Sequence, residues 1–505
     1  MECQPCLEAA LKFAENYQRV PVLTSLPAGK REASDIFLIL KNISRQCFML
    51  ESCEDSKQWG RYTFLGYDPK LEITASGNAV SIKNGVNLTL NAAHPAVYIE
   101  QILRENAAPP SRELPPEFPP FTGGLVGYFS YDYIKYSEPS LRMDAEGAER
   151  GAECDAECDA ERFKDVDLML FDKVIAYDRL KETIILIVNI KTDALEENYR
   201  KARVELDQMA RLIEEGNRAA VKPLTLKSPF RALFDKRRYC SMVEKIKEHI
   251  REGDIFQAVL SNRLEADAEG SLFDTYRALR DINPSPYLFY LSSDDIEVAG
   301  ASPETLVKLY EGTLWTFPLA GTRRRGETPE EDAALERELL ADPKELAEHN
   351  MLVDLGRNDI GRISEFGSVS VAKYLSVERF SHVMHIGSTV RGTIQRGKTA
   401  LDAIGAVLPA GTLSGAPKIR ACEIINELES AKRGIYGGAV GYIDFSGNMD
   451  ACIAIRLVFK KNGKVFVRSG AGIVADSAPE TEFAECENKM RAVIQALEQT
   501  NGGRA

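Results

Sequence analysis

The sequence contains no apolar run long enough to cross a bilayer, which takes about 20 consecutive residues. Its N-terminus, MECQPCLEAALKF, lacks a basic start followed by a long apolar stretch, so no signal peptide is expected. Positive charge is in deficit. With 63 Lys and Arg against 76 Asp and Glu, the net charge is −13, the opposite of what non-specific nucleic-acid binding needs. Histidine is scarce, with five in 505 residues, so imidazole chemistry is confined to a few positions. A disulfide framework is lacking too. Ten cysteines in so long a chain fit a reducing compartment, and a cytoplasmic protein without a membrane partner is expected. Cys3 and Cys6 form a lone CxxC; a zinc site usually needs a second pair, and none has matching spacing.

What is present is a globular composition, 44% hydrophobic and 28% charged, on a chain too long for one ordinary core. A helix is expected from 6 to about 17, then a β-rich region. There LEITASGNAVSIKNGVNLTL alternates apolar and polar residues and turns at Asn84-Gly85. The Pro-rich APPSRELPPEFPPF acts as a connector. An Ala/Glu/Asp repeat at 147–162 reads as a solvated acidic insertion. LMLFDKVIAYD and TIILIVNI read as buried strands, and a helix follows near 195–215. The segment 217–234 is the best boundary. It divides an N-terminal region (1–216) from a C-terminal domain (235–505). Past it, Tyr239, Met242, Val243, Ile246 and Ile250 fall at helical spacing, ended by Gly253. Further on come strands, a long helical region over about 329–355, a hairpin turned at Asn462-Gly463, and a last helix near 478–498.

One internal echo stands out: GGLVGY at 123–128 returns as GGAVGY at 437–442. It is expected to mark two similar sheets, one in each half, facing each other. Strands outnumber βαβ units, so the fold class is α+β, with antiparallel sheets and helices outside.

Several stretches could carry chemistry. Glu345 and Glu348, and Glu482 and Glu485, are i, i+3 pairs that each share one helical face. If the two faces met, four carboxylates would converge and call for a hard cation such as Mg²⁺. Each pair alone also fits a solvated acidic face. Gly470 and Gly472 follow a strand and could offer bare N–H groups to an anion, or simply turn. AGTLSGAPK leads into a helix N-terminus, which also favours an anion. Arg456 lies inside the apolar ACIAIRLVF, where an arginine needs an anionic partner. His382 and His385 could serve as base or hydrogen-bond donor, or sit satisfied in a core.

Taken together, DPKELAEHNMLVDLGRNDIGR, FSHVMHIGSTVRG, PAGTLSGAPKIRA, RGIYGGAVGYID, AIRLVF and RSGAGIVADSAPETEFAECENK resemble the chorismate-utilising enzymes. Among these they look most like the large subunits of anthranilate synthases. The resemblance covers essentially the whole chain and is densest over 235–495. It implies an antiparallel β-sandwich of two sheets with outer helices, and Mg²⁺ bound by Glu348 and Glu485 with Glu345 and Glu482 behind water. The metal would neutralise the ring carboxylate of chorismate, with Lys489 adding positive charge nearby. Tyr436, Arg456 and the Ser469, Gly470, Ala471 and Gly472 segment would hold the enolpyruvyl carboxylate. Gly321 and Thr322, in PLAGTRRRG, resemble a chorismate-contacting pair delivered by a strand over 314–320, and the arginines after them read as supporting or surface charge. Glu304 would be the general acid at the C4 hydroxyl. His385 would serve the pyruvate-eliminating step as base or its assistant, with Thr412 orienting the substrate.

Two positions bear on the nucleophile. Relatives that add water use a lysine where this chain has Gln257, and relatives that form aminodeoxychorismate keep a nucleophilic lysine where it has Ala320. Both substitutions point to ammonia. The resemblance therefore implies amination of chorismate and loss of pyruvate to give anthranilate. The alternative stops at aminodeoxyisochorismate with the enolpyruvyl group retained. A non-catalytic tryptophan-binding subunit is disfavoured by the intact Glu304, Glu348, Glu485 and Arg456. No glutaminase pattern is present, so a partner glutamine amidotransferase subunit is implied. Feedback inhibition by tryptophan is implied at Glu51, Ser52, Pro286, Tyr287 and Leu288. There MLES stands for the usual LLES, and Leu288 for a frequent methionine.

Overall fold

Two sheets emerge in the structure, a computed structural model that describes residues 2–53, 60–141, 161–379 and 383–503. His382 and nearly all of the acidic repeat lie outside the described residues. Among the described residues, the strands form sheets of 13 and 12 strands with antiparallel pairing. The first sheet runs through Arg19–Pro27, Thr183–Lys191, Lys173–Asp178, Tyr62–Tyr67 and Cys47–Glu51. It continues into Tyr287–Ser292, Ile296–Ser302, Leu457–Lys461, Lys464–Ile473 and Gln257–Glu269. The second begins at Leu319–Arg324 and passes Val383–Thr393, Thr313–Thr316, Thr305–Tyr310, Met449–Ile453 and Ala439–Asp444. It ends with Gly124–Phe129, Val166–Phe171 and the meander Leu71–Asn91.

Three cores follow from this. Phe48, Phe64, Phe121, Tyr128, Phe289 and Phe459 pack between the sheets. The outer face of the first sheet is covered by the helices Leu195–Glu215, Lys236–Glu252, Phe273–Ile282, Lys418–Glu429 and Pro479–Thr500. The outer face of the second is covered by Ala96–Glu105, Pro343–Gly361 and Ala400–Val407. This is the expected α+β sandwich with helices outside.

Three expectations change. The echoed glycine strands do not belong to separate sheets in the two halves. They pair side by side, with Gly127 opposite Gly441. A Cβ on Gly127 would lie 2.0 Å from Asp167 O, and one on Gly441 would lie 2.1 Å from Asp450 O, so each repeat is a strand that lets its neighbour close in. Both sheets draw strands from either side of 217–234, and that stretch itself pairs Thr225–Leu226 and Arg231–Ala232 with the strand Gln257–Glu269. Finally, the strand expected over 314–320 is two strands, Thr313–Thr316 and Leu319–Arg324, broken around Pro318, which has no N–H to donate.

The helical region likewise splits into Pro329–Ala341 and Pro343–Gly361. Asp342 ends one helix and caps the next, accepting from the backbone N–H of Lys344 and Glu345, with Pro343 in the first turn. This cap fixes the direction in which Glu345 and Glu348 project.

Candidate active site

A cavity of about 1060 Å³ opens where the ends of the two sheets meet. From the first sheet come Gln257 and the segment Ser469–Gly472. The second sheet contributes Ala320, Gly321, Thr322 and His385. The helix Pro343–Gly361 brings Glu345 and Glu348, and Pro479–Thr500 brings Glu482, Glu485 and Lys489. Glu304, Thr412, Tyr436 and Arg456 come from the segments between elements. Every expected catalytic, substrate and metal residue therefore lines one space, with one exception. Ala471 is fully buried in the core of the first sheet, so any part it takes is through its backbone. Alternation along a strand puts its side chain on the face of Ser469, toward the core under the helix Pro479–Thr500.

One wall suits a carboxylate. Past Val467, the strand Lys464–Ile473 keeps its partner Gln257–Glu269 on one edge, while Leu457–Lys461 has ended on the other. That edge leaves backbone groups of 468–473 without a strand partner. A Cβ on Gly470 would stand 2.7 Å from Leu260 O and 3.2 Å from the Tyr436 hydroxyl, and one on Gly472 would stand 2.6 Å from Gln257 Nε2. Glycine keeps this cradle open. Arg456 sits beside it with φ +50°, its Nη1 donating to Asn283 Oδ1 at 3.2 Å. Burial lowers its pKa and Glu304 opposes that shift, as expected for a guanidinium short of anionic partners.

Glu304 lies at the wall with Thr412 Oγ1 donating to it at 3.3 Å. Burial pushes its carboxyl up to about 7, against Thr412, Arg456 and Lys489, which pull it down. A carboxyl that holds its proton near neutral pH is fit for general-acid work. His385 Nδ1 is 2.8 Å from Gly321 O and 3.1 Å from Thr322 Oγ1. A carbonyl oxygen can only accept, so Nδ1 carries the hydrogen and Nε2 the lone pair. Burial also lowers the pKa of His385, which keeps the ring neutral and able to take a proton.

The four expected metal carboxylates face one another across the cavity. Burial raises the pKa of Glu348, and neighbouring Glu345 and Glu485 raise it further. Burial raises Glu482 as well, with Glu485 adding to the shift and Ser477 opposing it. Lys489 Nζ bridges Glu485 Oε1 at 2.7 Å and Gly470 O at 3.1 Å. Among the described residues, no three of the four carboxylates bring oxygens within 4.8 Å of one another. Such a spread, all-oxygen donor set fits a cation that keeps waters and ligand oxygens in its shell, as Mg²⁺ does.

Gln257 is 6% exposed, and its Oε1 is buried without a protein donor. Ala320 lines the same cavity. The arginines after it point away into ion pairs: Arg323 with Glu338, Asp342 and Glu345, Arg324 with Glu331, and Arg325 with Asp332.

A second, smaller cavity lies between the sheets and gathers Glu51, Ser52, Pro286, Tyr287 and Leu288 beside Lys308, Tyr442 and Asp450. The Glu51 carboxylate is held by Arg179 at 2.6 Å and by the Tyr276 hydroxyl. The Tyr287 hydroxyl bonds Thr305 Oγ1 and Asp450 Oδ1, both at 2.8 Å. Sequence reasoning missed Asn283 as the partner of Arg456, and also a buried cluster of Glu429, Arg433 and Arg468 behind the carboxylate wall. Arg468 carried a signal: like Arg456, it interrupts an apolar strand, KVFVRSGAGI.

Comparison with known proteins agrees with this geometry. The chain is 43% identical to anthranilate synthase component 1 of Acetivibrio thermocellus over 507 aligned residues, covering 98% of each chain. The crystal structure of anthranilate synthase component I from Streptococcus pneumoniae superposes with a TM-score of 0.72 at 37% identity, covering 87% of this chain and 93% of that one. The menaquinone-specific isochorismate synthase of Escherichia coli shares the fold at a TM-score of 0.69 and 17% identity, covering 97% and 98%. The family profile described as chorismate binding enzyme matches residues 45–495, and the chain belongs to that family.

Proposed function

We propose that this chain is the large subunit of an anthranilate synthase, aminating chorismate at C2 with ammonia and releasing pyruvate. The observation that carries this reading is the meeting, in one cavity, of Glu304, His385, Arg456 and four carboxylates, with Gln257 and Ala320 in the positions that choose the nucleophile; burial raises the Glu304 carboxyl to about 7 and lowers the pKa of His385. Chorismate is a dianion. Tyr436, Arg456 and the N–H groups of 470–472 bind its enolpyruvyl carboxylate, the guanidinium as a two-pronged donor. Glu348 and Glu485, backed by Glu345 and Glu482, hold Mg²⁺, which when bound neutralises the ring carboxylate.

Glu304 gives its proton to the C4 hydroxyl, which leaves as water as ammonia adds at C2. The buried Gln257 Oε1 offers ammonia a hydrogen-bond acceptor, and an amide cannot deprotonate water to make a competing nucleophile. His385 then takes the C2 proton through Nε2. The C3–O bond breaks, enolpyruvate leaves and becomes pyruvate on protonation, and the ring is aromatic. The relatives are named component 1, which supports ammonia coming from glutamine through a partner amidotransferase subunit, in the cytoplasm. The second cavity takes tryptophan as a feedback inhibitor.

The test is direct. The purified chain with chorismate, Mg²⁺ and an ammonium salt is expected to form fluorescent anthranilate, and chelation of the metal to stop it. No fluorescence from neutral to mildly alkaline pH would sink the reading. A product that keeps its enolpyruvyl group by mass would point instead to aminodeoxyisochorismate.

A further inference from the structure

Behind the carboxylate wall, three charged side chains are shut away from water. Glu429, Arg433 and Arg468 are each 2% exposed. Glu429 Oε1 accepts from Ser261 N and Oγ, both at 2.8 Å, and from Arg433 Nη2 at 2.6 Å. Its Oε2 accepts from Arg433 Nε at 2.9 Å and Arg468 Nη2 at 2.6 Å. Arg433 also donates to the carbonyls of Leu413 and Val259, each at 2.6 Å, and its guanidinium lies 4.4 Å from the centre of the Tyr131 ring. Arg468 donates to Ser261 Oγ at 2.8 Å and to Lys432 O at 2.9 Å.

The network reaches the cavity wall: Val259, Leu413 and Arg468 line it, and each lies one to three residues from a residue expected to meet the substrate. Leu413 follows Thr412. Val259 is two residues from Gln257. Ser261 is the cross-strand partner of Gly470. Arg468 precedes Ser469, and Arg433 stands three before Tyr436. A buried ionic trio is a poor source of stability, because removing three charges from water costs more than an apolar trio of like volume. What it supplies here is direction, since planar guanidinium forks fix four separate segments against one carboxylate. Two arginines against one glutamate also leave a net positive charge behind a wall that would face an anion.

We infer that Glu429, Arg433 and Arg468 are positioning residues that hold the Thr412, Gln257, Tyr436 and 469–472 segments in register for an anionic substrate. The inference rests on the use of this cavity for chorismate. None of the three is a catalytic residue; they act through the segments they tie. Arg433 also bears on the general acid. Its bond to Leu413 O steadies Thr412, whose hydroxyl lowers the pKa of Glu304. Arg456 and Lys489 also lower that pKa.

The experiment compares the parent chain with Arg433→Lys, Glu429→Gln and the milder Ser261→Ala. Thermal unfolding confirms the fold of each. Chorismate Kd by calorimetry with Mg²⁺, and KM and kcat with ammonium, are then measured across pH. For Arg433→Lys and Glu429→Gln, Kd and KM are expected to rise about tenfold or more, with a smaller fall in kcat. In Arg433→Lys, the alkaline limb of the kcat profile is expected to move to higher pH, because the ionised Glu304 loses a donor. A role confined to stability would leave both unmoved.

Folded variants with parental Kd and an unmoved limb overturn the inference. If the first two variants fail to fold, Ser261→Ala decides, with an expected rise of about threefold in Kd and parental binding counting against. A parent chain that binds chorismate but makes no anthranilate defeats the function while leaving the Kd comparison decisive. One that binds no chorismate defeats both.

Discussion

Burial lifts the Glu304 carboxyl to about 7, so near neutrality a share still carries the proton that the proposed general acid would give to the C4 hydroxyl. As pH rises through that value the acid form is lost, and turnover is expected to fall along the alkaline limb. The pH dependence of kcat with ammonium checks this. Glu304→Gln keeps the shape but has no proton to give, so kcat is expected to drop about 10²- to 10⁴-fold while chorismate Kd changes little. Glu485→Gln tests the other carboxylates. It removes a charge that Lys489 now pairs at 2.7 Å and is expected to weaken Mg²⁺ binding at least about tenfold by calorimetry; parental Mg²⁺ affinity would remove Glu485 from the metal site. Single residues were the most legible part of the sequence. Arg456 and His385 stand out in their surroundings, the resemblance to chorismate-utilising enzymes singles out Glu304, and the fold brings all three to one cavity. Asn283 and Glu429 were not legible, because an ordinary polar residue in a turn or helix reveals a buried partner only once the chain is folded, whereas Arg468 interrupts an apolar strand.

Elements were legible where local chemistry decides them. The helix Leu195–Glu215 lies where its periodicity puts it, and the Asn84-Gly85 and Asn462-Gly463 turns join paired strands. The misread strand at 314–320 shows the limit. A run of apolar residues reads as one strand until the proline in it is weighed. Strand neighbours are harder still. A period of two tells which face a side chain takes but says nothing about which strand lies alongside, and for that reason GGLVGY and GGAVGY looked like two sheets. The close approach of the second of them to its other neighbour, Met449–Ile453, makes a sharp prediction. In Gly441→Ala the new methyl would meet Asp450 O at 2.1 Å and Asp450 C at 3.0 Å, both backbone atoms. The pair must part, at a cost of about 1–3 kcal/mol. Thermal unfolding is expected at clearly lower temperature, whereas Gly463→Ala, with nothing within 4 Å, bears only the strain of its φ of +74°.

At the scale of the molecule, the sharing of both sheets by both halves puts the two cavities in one body. Tyr287 lines the smaller cavity and bonds Thr305, the residue after Glu304. Four residues before it, Asn283 holds Arg456. An occupant that shifts the 283–288 turn therefore acts on Glu304 and Arg456, the proposed general acid and carboxylate-binding group, together. An effector acts only by favouring one arrangement of these groups over another, and the effect is reciprocal: under the proposed inhibition, chorismate is expected to weaken tryptophan by the factor that tryptophan weakens chorismate. Two substitutions separate binding from coupling. Ser52→Ala alters the pocket itself, so tryptophan inhibition is expected to weaken with ammonia-dependent activity kept. Tyr287→Phe leaves the ring in place but removes the bonds to Thr305 and Asp450, so tryptophan should still bind while the ratio of its Kd with and without chorismate falls toward one. Calorimetry at saturating Mg²⁺ reads both. A Tyr287→Phe chain that keeps the parental ratio would place the coupling elsewhere between the sheets, for example through Lys308, Leu309 and Tyr310 of the strand that begins at Thr305, which also line the pocket.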